Sequence, residues 1–146
     1  MSMSVHIVFC GSVPGVFDVQ AVLEKNGFEL SLIEDLVTFE VHSGYLPVRR
    51  VGRPSGAAFK LGGLEEIRQI ENWAKVGFDQ KFDKVANLYF AGDLEAFAIA
   101  YAFASAFAST TGGVVIDSEQ RILQDSVEAL EVARLIWICA DELTNN

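Results

Sequence analysis

The chain has 146 residues, 51% of them hydrophobic and 11% aromatic, so it is long and apolar enough to fold around a core without a metal or disulfide framework. Its formal charge of −9 argues against partners that are themselves polyanions, nucleic acid and anionic lipid surfaces in particular. From Asp93 onward nine acids face only Arg121 and Arg134, so the last third alone carries −7.

The first predicted strand covers 5–10, a near-continuous apolar run suited to a central position in a sheet. A break at 11–15 opens a helix of about a dozen residues. Val16, Val19 and Leu23 are spaced to face one core, and Lys25, Asn26 and Gly27 supply its stop signal. Strands are predicted over 28–33 and 36–42, with a turn at Ser43 and Gly44. An extended edge piece follows over 45–53, where Pro47 cannot donate to a ladder, and a further strand over 57–61. Leu64, Ile67, Ile70 and Trp73 or Ala74 then recur at helical spacing.

Residues 85–90 read as a strand, 91–92 as a turn and Asp93 as a helix N-cap. Beyond Glu95 come 21 residues without a charge, nominally enough to cross a bilayer. They are rich in Ala, Ser, Thr and Gly and lack a Lys or Arg flank, so they are expected to form a buried helix running into a buried strand at 114–116. Alanine alternating with Phe97, Ile99, Tyr101, Phe103 and Phe107 mimics a strand's period of two, but length and alanine's helix propensity decide for helix. A turn at 118–119 leads to a partner strand over 121–123. Asp125 and Glu128 then stand at capping-box spacing before a last helix reaching about 143.

No repeat or linker interrupts this order, which predicts a single α+β domain over 1–146. The sheet is expected to be mixed or antiparallel and packed by about four helices, its first part having the element order of a ferredoxin-like unit. Met1 to Ser4 show no secretion signal, so a cytoplasmic location is expected, with Cys10 and Cys139 buried and reduced.

Among residues that could carry chemistry, the loop at 11–15 sits where nucleotide folds hold phosphates, yet it lacks the P-loop lysine and the dinucleotide spacing. Arg49, Arg50 and Arg53 form the one basic cluster, suited to anion recognition or to pairing with the chain's own acids. His6 and His42 have no second histidine at ligand spacing, and no nucleophile lies in a recognisable elbow, so no metal, cofactor or catalytic role is expected. Asp117, Glu119, Asp125, Glu128 and Glu131 form the densest acidic group. With Trp137 in the apolar end of the last helix as a candidate anchor, they make the expected surface for a basic protein partner.

The stretch running from Phe107 through Thr110, Thr111, Gly112 and Gly113 to Asp117 resembles the helix-Gly-Gly-strand junction of small acidic bacterial toxin-immunity proteins. That resemblance implies an inhibitor that occludes the active site of a basic toxin or enzyme, with carboxylates standing in for an anionic substrate. It transfers no individual residue's role. Two other readings stay open: a small enzyme or anion-binding protein using Arg49, Arg50 and Arg53, and a structural homodimer with Trp137 buried against its own copy.

Overall fold

The computed structural model describes residues 2–32, 43–45, 48–50, 53–55, 57–62, 82–117 and 122–144. In chain order the elements are β1 (Ser2–Phe9), α1 (Val16–Lys25), β2 (Leu30–Leu32), β3 (Ser43–Tyr45), β4 (Val48–Arg50), β5 (Arg53–Ser55), β6 (Ala58–Gly62), β7 (Lys84–Ala91), α2 (Leu94–Thr111), β8 (Val114–Asp117), β9 (Ile122–Gln124) and α3 (Ser126–Thr144). The class is α+β. The expected strand over 36–42 and the expected helix beginning near 64 lie outside the described residues.

Six strands form one sheet in the order β3-β6-β7-β1-β8-β9, and β2-β4-β5 form a second. Every pairing is antiparallel. The described residues do not bear out the ferredoxin-like order expected for the first part. β1 lies between β7 and β8, both antiparallel to it, while β2, the strand after α1, pairs with β4 in the smaller sheet. A ferredoxin-like unit would have returned that early strand to the main sheet. Ser43 and Gly44 also depart from expectation, since they belong to edge strand β3 rather than to a turn. Gly44 stands opposite Phe59 in the β3–β6 register.

The core is built around α2. On a helix, the alternation that mimics a strand resolves into stripes four residues apart: Ile99, Phe103 and Phe107 on one, Phe97, Tyr101 and Ser105 on another, with alanines between. Phe107 meets Phe9 of β1 edge to face at 5.2 Å between ring centroids, and Phe103 meets Phe59 of β6 at 5.8 Å. Phe97 stacks on Phe90 of β7 at 5.6 Å. The alternate β1 residues Val5, Ile7 and Phe9 join this cluster, and α1 and α3 complete the cover through Val19 and Leu23 and through Ala129, Ala133 and Ala140. Alanine on alanine lets helix axes approach closely, which is why so small-sided a helix sits at the centre. A second cluster unites Val8, Val85 and Ile116, residues of opposite phase on their strands, with Phe82 just before β7.

Both ends of α2 follow its sequence. The Asp93 carboxylate accepts a hydrogen bond from the Ala96 N–H at 2.8 Å, and Gly112 ends the helix at φ +70°. Gly113 is needed for a different reason. A Cβ there would lie 2.5 Å from the Val8 carbonyl oxygen, so the chain entering β8 passes β1 at a distance only glycine permits. Gly113→Ala is expected to destabilise the fold by about 1–3 kcal/mol through this overlap, and Gly112→Asn by less, because asparagine tolerates the left-handed region. Urea unfolding of the two variants measures the contrast.

Candidate functional site

The residues expected to form an acidic docking surface divide in the structure. Asp125 caps α3: its carboxylate accepts from the Glu128 N–H at 2.9 Å, while Glu128 Oε1 accepts from the Asp125 N–H at 3.5 Å, the reciprocal pair that the sequence spacing predicted. Asp125, Glu128 and Glu131 are exposed. Glu119 lies outside the described residues.

Asp117 and Trp137 leave this surface. Asp117 is 3% exposed, because the β1–β8 register places it beside Val5 in the row that faces the helices. Trp137 is 6% exposed and packs edge to face on Phe28 at 5.2 Å between centroids. Of the two positions considered for the end of the last helix, burial in the core is the one Trp137 takes.

What takes the tryptophan's place on the outside of α3 is a set of smaller apolar side chains. Val127 is 64% exposed, Leu135 66% and Ile138 55%. At 100° per residue these three fall with Glu128, Glu131 and Glu142 within about 100° of arc, opposite the buried Ala129, Ala133 and Ala140. Exposed aliphatic residues scattered singly need no explanation, but three sharing one stripe with three carboxylates form a coherent surface. Among the described residues, no ion pair engages Glu128, Glu131 or Glu142. Arg134, the one cation of α3, is turned to the side, where it donates to Asn26 Oδ1 at the end of α1. The sequence could have shown this stripe through the spacing of Val127, Leu135 and Ile138, had the buried side of the helix been known.

Beneath α3 lies a buried polar group. The Tyr101 hydroxyl donates to Gln124 Oε1, both side chains being buried, and Asp117 is close enough to act on the phenol electrostatically. Burial, reinforced by the Asp117 carboxylate, pushes the Tyr101 phenol well above its ordinary range, so it stays protonated and donating. On the sheet, His6 and Asn87 are cross-strand partners. Asn87 Nδ2 donates to the Lys60 carbonyl at 3.2 Å, which turns Asn87 Oδ1 toward His6 Nδ1 at 2.6 Å and makes that nitrogen the donor. His6 is therefore tied into the sheet, while His42 lies outside the described residues. Among the described residues no three His, Cys, Asp or Glu side chains converge as metal ligands.

The loop before α1 borders an open cavity of about 530 Å³ lined by Ser12, Gly15, Asp18 and Thr110, among others. Gly15 gives α1 no side-chain cap, and the first-turn carboxylate of Asp18 already complements the helix dipole there, which opposes an incoming anion. Arg49 and Arg50 lie on β4 and Arg53 on β5. The register sets Arg50 against Arg53 but Arg49 against Pro54, so the three arginines fall in two cross-strand rows. Cys10 and Cys139 are free and exposed rather than buried. Cys10 lies just past the last paired residue of β1, and Cys139 follows Ile138 on the outer side of α3. Among the described residues no helix is long and apolar enough to cross a membrane, the uncharged stretch being divided between α2 and β8.

Comparison with protein-family models, curated proteins and solved structures finds no match for this chain.

The Tyr101 network yields a prediction with a definite sign. Because the folded phenol titrates above its unfolded value, its contribution is fully present below about pH 10 and is lost as the pH rises above it, where only the unfolded chain releases the proton. Tyr101→Phe is expected to cost about 1–3 kcal/mol near neutrality, since Gln124 Oε1 loses its buried donor, and to flatten the decline above about pH 10. Denaturant titrations of both proteins between pH 7 and 11 check both parts.

Proposed function

We propose that this chain is an acidic protein-binding domain that docks a basic partner on the outer face of α3. The observation that carries the reading is the stripe in which Val127, Leu135 and Ile138 stand exposed among Glu128, Glu131 and Glu142. Apolar side chains supply area to bury, while the carboxylates around them select cations and reject acidic surfaces. A charge of −7 over the last third would draw a basic protein in from a distance and speed encounter, an effect that added salt weakens.

The finer form of this proposal is an inhibitor of the immunity type, which covers the active site of a basic toxin or enzyme. It is supported by the acidity of the surface, since carboxylates can occupy a site built for an anionic substrate, and by the helix-Gly-Gly-strand resemblance. A homodimer through this face fits less well. Two-fold pairing sets the same patch against itself, so a surface carrying three carboxylates would meet a second surface of the same charge.

The test is retention of a partner from lysate of the source cells by the tagged chain, at low and at high salt. One basic protein is expected in stoichiometric amount. Its association rate should fall by about tenfold or more with Glu128→Lys and Glu131→Lys together, while Glu29→Lys, an exposed acid near β2, leaves the rate within about twofold. Equal capture by the charge-reversed and native chains, or recovery of the chain alone, defeats the proposal.

A further inference from the structure

We infer that the part of the partner lying on α3 is a basic amphipathic helix; this rests on the docking role proposed above and names the element that fills it. Val127, Glu131, Leu135, Ile138 and Glu142 follow one another along the exposed face at steps of four, four, three and four residues. At 1.5 Å per residue this row is about 22 Å long, with one contact per turn. A second helix laid alongside at the shallow crossing angle of coiled coils and helix bundles presents its own residues at the same steps, so all five contacts stay in phase. An extended segment presents same-face residues only every 6.6–6.8 Å or so and would overrun the row by about 4–5 Å, most of a contact. The chemistry along the row then specifies the occupant. Apolar side chains belong opposite Val127 and the Leu135–Ile138 pair, and cations opposite Glu131 and Glu142, with a further cation near Glu128 at the rim. These carboxylates engage no ion pair among the described residues. The one cation of α3, Arg134, is bonded to Asn26, so it does not compete for them.

Two labelled synthetic peptides of about 18 residues separate the possibilities. They share one composition of leucine, lysine and alanine. In one, leucines and lysines recur every three to four positions, and in the other every two. Fluorescence anisotropy at low salt is expected to show the helical-period peptide binding at least about tenfold more tightly. Leu135→Asp with Ile138→Asp should abolish that preference. Equal affinity for the two peptides, weakened for both by Glu128→Lys with Glu131→Lys, overturns the helix and leaves the docking surface standing. Binding of both peptides that this charge reversal leaves unchanged overturns the docking surface itself, and with it the inference.

Discussion

The constraint on which this structure turns is that α2 has no face that can be left in water. From Ala96 to Ala108 all but the half-buried Phe97 are buried, including Ser105, which satisfies its hydroxyl on the Ala102 carbonyl one turn back. A helix apolar all round must be covered all round. The sheet does this along the Phe103 and Phe107 stripe, and α1 and α3 cover the rest. Alanine on both α2 and α3 allows the two to approach closely, so the rotation of α3 about its own axis is set by where Ala129, Ala133 and Ala140 must go.

That rotation decides what the molecule offers its surroundings. With the alanines turned inward, Trp137 falls at the border of the contact and finds Phe28, and Arg134 reaches the end of α1. Val127, Leu135 and Ile138 are left outside, where the fold gains nothing from them. The docking role proposed above rests on that arrangement, in which one side of α3 packs on the core and the other meets solvent.

Polar groups inside the protein serve register rather than display. His6 and Asn87 meet across β1 and β7 and reach β6 through the Lys60 carbonyl, tying three adjacent strands at one level. Tyr101 and Gln124 join the central helix to β9 at the margin of the sheet. A strand slip of one residue would carry His6 or Gln124 to the opposite face and leave its partner unsatisfied. Asp117 lies in the same interior, which is why the densest acidic run in the chain contributes less to the surface than its sequence implies.

The sequence by itself determined whatever depends on neighbours along the chain. The stops of α1 at Asn26 and Gly27, the Asp93 cap and the Asp125–Glu128 capping box rest on contacts within a few residues and appear where those residues place them, and the first strand, expected over 5–10, runs over Ser2–Phe9. Burial of α2 was legible too, because a segment apolar on nearly every side, rich in small residues and without a Lys or Arg flank to orient it in a bilayer, has to be covered by protein. Tertiary structure decided what depends on which surfaces meet. An apolar helix end such as 132–140 is equally consistent with Trp137 inside or outside, and an apolar context around Cys10 and Cys139 does not reveal that one lies past a strand end and the other on an outward face. Strand order was likewise beyond local reasoning, since β1 pairs with β7 and β8 more than seventy residues away, and no pattern within a strand names its neighbour. Local periodicity defines a face. Only packing against the rest of the chain determines whether that face meets the core or the solvent.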